Sequence, residues 1–214
     1  MADTLDLLSL AHAKAAINMP ASNPDHDTVL ARHITAVSRI IDDACGPVVV
    51  RTVTAELHDG GGPCIYLNRY PVSSVTTVRE LQGAGTIETL SAVAWGATGD
   101  GYFAQPWDRN PTLKSGEILR IDSGEVANWY RGTYNVEVTY IAGRYATTAT
   151  VDARFADACG AILRRMWKRE AGSWAQSSEL FEDSIDAPSS GFFRAVRPLI
   201  SEMLFDEMLT VGFA

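Results

Sequence analysis

His58 and Asp59 stand together ahead of three glycines in the stretch HDGGG, residues 58–62. A histidine beside a carboxylate could orient a general base, and consecutive glycines could cradle a phosphate. The surroundings complete neither chemistry. A phosphate loop ends in Gly-Lys-Ser/Thr and opens a helix, whereas this one runs into Pro63 and an extended segment. A serine hydrolase needs its nucleophile in a Gly-x-Ser-x-Gly elbow, and the serines in KSGE and DSGEV lack that frame. The simpler expectation is a hairpin, with the glycines forming the loop between two strands.

Metal chemistry fares no better. Cys45, Cys64 and Cys159 are scattered, and His12, His26, His33 and His58 show neither HExxH spacing nor a paired arrangement with them. The expectation is therefore no metal, no cofactor, buried apolar cysteines, and histidines at the surface or at helix caps. Acidic density in ELFEDSID, residues 179–186, lacks the Asp-x-Asp-x-Asp-Gly order of a calcium loop and reads as solvated chain. Trp95, Tyr102, Phe103, Trp107, Trp129 and Tyr130 could offer a sugar- or base-stacking face. Their neighbouring cations Arg109, Lys114, Arg120 and Arg131 are offset by carboxylates, which favours core or subunit-interface packing. The net charge of −8 disfavours wrapping DNA, because phosphate binding needs clustered cations. Only residues 151–170 are net basic, through Arg164, Arg165, Lys168 and Arg169.

Periodicity supplies the elements that must carry these groups. Residues 5–17 and 27–44 predict helices, the second with Leu30, Ile34, Val37, Ile40, Ile41 and Ala44 in one stripe, ended by Gly46-Pro47. From Val48 the period shifts to two, predicting strands at 48–57 and 64–68 as the hairpin, another after Pro71, and weaker ones near 86–90, 101–104 and 117–122. In NWYRGTYNVEVTYIAGRY, residues 128–145, Tyr134, Val136, Val138 and Tyr140 alternate with polar residues over a strand at 133–141. Helix returns at 152–170, with Phe155, Cys159, Ile162 and Met166 inward and Asp152 as cap. A flexible acidic linker is expected at 171–190, then a helical C-terminal arm in which Pro198 kinks or opens a helix. The fold class is α+β: a helical body from 1–46 and 151–214, with an antiparallel β region inserted at 47–150. Neither helical half can bury its stripe alone. No apolar run approaches the ~20 residues of a membrane span, and MADTLDLLSL lacks the flanks of a secretory signal, which predicts a cytoplasmic product without a membrane partner.

The order of LDLLSLAHAKAAINMP, LARHITAVSRIIDDACGPVVVRTVTAELHDGGG, LNRYPVSSVTTV, WYRGTYNVEVTYIAGR, ACGAILRRMWKREAG and SSGFFRAVRPLI resembles the head-to-tail adaptor (connector) proteins of tailed bacteriophages over about residues 5–200. The last stretch looks like the family's closing Gly-aromatic-x-Arg-x-Val helix. The resemblance implies a non-enzymatic virion protein of the neck, made in the bacterial host's cytoplasm. Its partners would be itself in a ring, commonly a dodecamer, the portal protein, and a downstream neck, stopper or tail protein. Genomic DNA would pass through the channel without specific binding. On that footing the candidate contacts are the basic Arg164, Arg165, Lys168 and Arg169, the acidic Glu179, Glu182 and Asp183 of a neighbour, and Phe192, Phe193, Arg194, Arg197 and Leu199 of the C-terminal arm. Two other readings stay open: another neck or tail-completion protein, or a small hydrolase or carbohydrate-binding domain using the aromatic β region.

Overall fold

Helices from the two ends of the sequence share one apolar core in the computed structural model, which describes residues 3–174 and 190–208. The chain is α+β and divides into two units, residues 1–49 with 145–214, and residues 50–144.

The helical unit holds α1 (Leu10–Ala16), α2 (Asp27–Cys45), α3 (Ala153–Trp174) and α4 (Ser190–Leu204). Along α2, Leu30, Ile34, Val37 and Ile41 recur at steps of three and four and are fully buried, while Ile40 and Ala44 flank them half-buried. Phe155, Cys159 and Ile162 of α3 share a core with Ile34, Val37 and Ile41 of that stripe, joined by Leu163 and by Val196, Ile200 and Leu204 of α4. Gly46 at φ 77 ends α2, and Asp42 accepts the Val48 amide at 3.0 Å just beyond it. Asp152 caps α3 by accepting the Arg154 amide at 2.9 Å.

Several boundaries differ from the sequence reading. The first helix starts at Leu10 instead of residue 5, because Ser9 caps it by accepting the His12 amide. Upstream, the backbone is held by α2 side chains: Ser38 accepts the Leu7 amide at 2.9 Å and Thr35 donates to the Asp6 carboxylate at 3.2 Å. This buries Leu7 and Leu8 without a helix. Lys14 is buried and joins Asp27 at 2.6 Å and the carbonyls of Ala21 and Asn23, which closes the loop between α1 and α2. His33, expected at the surface or a cap, is buried.

Residues 171–174, assigned to the linker, continue α3, since a single glycine costs a helix only about 1 kcal/mol. Residues 175–189 lie outside the described residues. Pro198 neither opens nor ends α4; it sits inside it on the exposed side. The arm expectation is corrected in part: Val196, Ile200 and Leu204, spaced four apart, are core residues, so this stretch is built into the helical unit.

The β unit contains β1 (Arg51–His58), β2 (Cys64–Tyr66), β3 (Val72–Gln82), β4 (Thr86–Leu90), β5 (Gly101–Trp107), β6 (Asn110–Asp122), β7 (Glu125–Ala127) and β8 (Val136–Ala142). All ladders are antiparallel, in the order β1-β8-β3-β6-β2, with β4 on β3 and with β5 and β7 on β6. Val136, Val138, Tyr140 and Ala142 of β8 face a core with Val72, Val78, Ile118 and Trp129. Inside it, Glu80 accepts the Tyr130 amide at 2.6 Å and lies 3.4 Å from the Arg120 guanidinium, so Arg120 is a core cation and not a surface one.

The expected hairpin at residues 48–68 does not form. β1 pairs with β8 and β2 with β6, so HDGGG crosses between opposite ends of the strand order. Its glycines serve close backbone approach instead. Gly60 donates to the Gly132 carbonyl at 3.0 Å and to Asn135 Oδ1 at 2.8 Å, and Gly61 donates to the Trp129 carbonyl at 3.1 Å. A Cβ at Gly60 would stand 2.1 Å from the Tyr130 carbonyl oxygen. Tyr134 also leaves the expected alternation. It precedes β8 at φ 51 and is 66% exposed. β7, too short for a periodic signal, folds back after Ser123-Gly124, both at positive φ.

Four outcomes follow. Ile200→Ala should lower unfolding free energy by about 2–5 kcal/mol in a denaturant titration. Truncation before residue 191 removes the buried Val196, Ile200 and Leu204, worth roughly 5–9 kcal/mol, and should leave the helical unit unfolded by circular dichroism; a truncated chain with full helicity would contradict the packing. Gly60→Ala should cost roughly 1–3 kcal/mol through the forced backbone shift, read as a lower melting temperature. The Asp6 carboxyl is held above its ordinary 3.8 mainly by burial. The folded state therefore favours its protonated form, and that stability is present below pH 3.8 and lost as pH rises through the folded-state value. Asp6→Asn should flatten this part of the stability–pH curve.

Candidate functional site

The groups with chemical potential are engaged in holding backbone. His58 Nε2 lies 2.8 Å from Glu56 Oε1, and Asp59 accepts the Tyr134 amide at 2.7 Å. Glu56 also accepts the Asn68 amide at 2.9 Å and the Tyr140 hydroxyl at 2.7 Å, while Tyr140 Oη accepts the Arg69 amide. This network ties the turn after β2 to β8. Burial, then the Glu117 carboxylate that accepts its Sγ–H at 3.3 Å, pushes the Cys64 thiol up to about 12. Such a thiol stays protonated at neutral pH and is a poor nucleophile. Cys45 and Cys159 are buried. Among the described residues, no group of three or more His, Cys, Asp or Glu could hold a metal ion.

The six aromatics do not make one stacking face. Tyr102 and Trp129 are core residues, and Trp95 packs on Phe103 with ring centroids 5.1 Å apart. The Arg144 and Arg109 guanidiniums lie 5.1 and 5.9 Å from the centre of the Trp107 ring. Tyr130 is half exposed elsewhere, its hydroxyl filling the space beside Gly83. Exposed apolar side chains collect instead where β3 and β4 meet, with Leu81 opposite Ile87 in register.

Helical spacing brings the predicted cations of α3 to the surface. Arg164, Arg165 and Lys168 are exposed, and their positions continue the solvent face of Arg154, Asp157 and the half-buried Ala161. Arg164 Nε donates to the Ala16 carbonyl at 2.9 Å, which satisfies the end of α1. Trp167 meets His26 edge to face at 5.3 Å, closing the start of α2 against this end of α3. The predicted acidic counterparts Glu179, Glu182 and Asp183 lie outside the described residues, as do the side chains of Arg169, Phe192, Phe193 and Arg194. Arg197 is exposed on α4, and Leu199 is half-buried.

At the opposite end of α3 stands a group that the sequence reading passed over. Arg154 bridges Asp152 at 3.2 Å and Glu207 at 3.1 Å, and Glu207 belongs to a short turn, Phe205–Glu207, that follows α4. There Phe205 is 72% exposed between the exposed Glu202 and Asp206. The signal was available: once Val196, Ile200 and Leu204 define the buried stripe, Phe205 falls one residue outside it. The helical unit thus carries an acidic, aromatic surface at the start of α3 and a cationic surface over its middle and later turns.

Neither a protein-family model nor a curated protein matches the chain. Among solved structures, it is similar to a chain in the neck of an empty GTA particle computed with C6 symmetry, at 17% identity and TM-score 0.49, covering 90% of this chain and 89% of that one. It is also similar to a chain in the neck of a native GTA particle computed with C12 symmetry, at 17% identity and TM-score 0.47 over 93% and 94% of the two chains. A third is a chain in the virion of a native gene transfer agent (GTA) particle, at 18% identity and TM-score 0.48 over 90% and 89%. Scores and identities of this size carry no functional conclusion by themselves.

Proposed function

We propose that this chain is a structural neck protein of a tailed-phage-like particle, acting as a head-to-tail adaptor. Copies form a closed ring between the portal and the next neck or tail component, and DNA passes through the channel. The observation that carries this reading is the shared core of α2, α3 and α4, with an antiparallel β unit at residues 50–144 between its two halves in sequence. The helical core is the part that the resemblance to adaptor proteins implies; the β unit is long beside the minimal all-helical members of that family. A ring needs unlike surfaces on one body that meet by rotation, and the acidic start and cationic later turns of α3 supply a pair.

The role asks for no catalysis, and it gives the net charge of −8 a use. An acidic channel wall repels phosphate, so the genome slides without sticking. Arg197 and Leu199 on α4, with Phe192, Phe193 and Arg194 earlier in that helix, are the proposed contacts to portal or downstream partners, and Glu179, Glu182 and Asp183 ahead of it are proposed contacts to a neighbouring copy.

The test is location. A peptide tag after Ala214, detected with gold-labelled antibody on particles from the producing host, should mark the collar between capsid vertex and tail. Label on capsid faces or tail fibres, or particles lacking the chain, would overturn the reading.

A further inference from the structure

The contact between ring neighbours can be assigned to named side chains, an inference that rests on the ring reading above. We infer that the acidic turn around Phe205 docks on the cationic face of α3 of a second copy of this chain. Phe205 is the exposed large apolar side chain among the described residues of the helical unit. An aromatic ring in water between two carboxylates, Glu202 and Asp206, matches a surface that offers guanidinium and ammonium groups. Arginine stacks on such a ring while its neighbours pair with the flanking acids.

Arg164, Arg165 and Lys168 offer that surface. With Arg164 Nε already on the Ala16 carbonyl, its exposed guanidinium is held in place, and less rotamer freedom is lost on docking. The two surfaces cannot satisfy each other within one copy. Arg154, which meets Glu207 at the acidic surface, lies ten residues from Arg164 and fourteen from Lys168 on one helix, about 15 and 21 Å at 1.5 Å per residue. Each copy therefore presents one surface forward and the other behind, which is a head-to-tail contact that closes or propagates. The occupant is a second copy because the complement of each surface lies on the same chain.

Charge reversal in the full-length chain tests this. One variant carries Arg164→Glu and Lys168→Glu, a second carries Glu202→Lys and Asp206→Lys, a third carries all four, and Phe205→Ser changes no charge. Association is followed by sedimentation velocity over a concentration series, and contacts are mapped by zero-length carbodiimide cross-linking. The parent chain should associate and link Lys168 to Glu202 or Asp206 of another copy. Each two-site variant and Phe205→Ser should weaken association roughly tenfold or more, as close interfacial charge pairs do. The four-site variant, and an equimolar mixture of the two-site variants, should recover it. That recovery also shows that the reversed surfaces still fold. Two-site variants that associate like the parent, or a four-site variant that stays dissociated, overturn the assignment. So does a parent chain that remains monomeric throughout. Those outcomes leave the ring reading standing, because only the location of the label in the particle decides it.

Discussion

The structure depends on burying the apolar stripe of α2 against helices that arrive more than a hundred residues later. Ile34, Val37 and Ile41 are fully buried, and Phe155, Cys159, Ile162, Val196 and Ile200 supply much of the core they share. An isolated amphipathic helix of this length is marginal in water, so α2 needs α3 and α4 to persist. That requirement sets the connectivity. The chain must leave the helical unit, build a complete β unit, and return to the same place. Leaving and returning strands meet in a parallel bridge between Val49 and Tyr145, with the Tyr145 amide on the Val48 carbonyl at 2.9 Å. Bringing these two segments of the helical unit together closes the intervening loop at a cost that grows only slowly with its length.

Inside the β unit, an ion pair has the corresponding part. Glu80 reaches from β3 to the Arg120 guanidinium on β6 and to the Tyr130 amide, and Arg120 donates to the Gly101 carbonyl at 3.1 Å. A buried pair of this kind is a weak source of net stability, but losing either partner leaves an uncompensated charge. It specifies how β3, β6 and the segment before β8 meet, which the apolar pattern alone would leave loose.

Much of this was legible from periodicity. The stripes of α2 and α3 and the alternation from Val136 to Tyr140 follow directly from residue spacing, and they are where the core lies. Strand pairing was not legible, because Val53 finds Tyr140 and Ile65 finds Ile118 through contacts that no local window contains. HDGGG looked like a hairpin loop because glycine marks both turns and close backbone approach, and only Tyr130 and Asn135 in space distinguish them. At the candidate surface, Arg164, Arg165 and Lys168 could be placed outward from helix spacing alone. The acidic partner was sought in ELFEDSID by composition, whereas Glu202, Phe205 and Asp206 become a surface only once α4 is seen to pack through Val196, Ile200 and Leu204.

The most direct test of the shared core is native-state hydrogen exchange followed residue by residue. If the two ends of the chain form one cooperative unit, amides within α2 and α3 should open with the same free energy. Ile200→Ala on α4 should then lower the protection of Val37 and Ile41 on α2 as much as that of Ile162 on α3. Protection in α2 that is unchanged by the Ile200 substitution, or that differs from α3 throughout, would contradict the account.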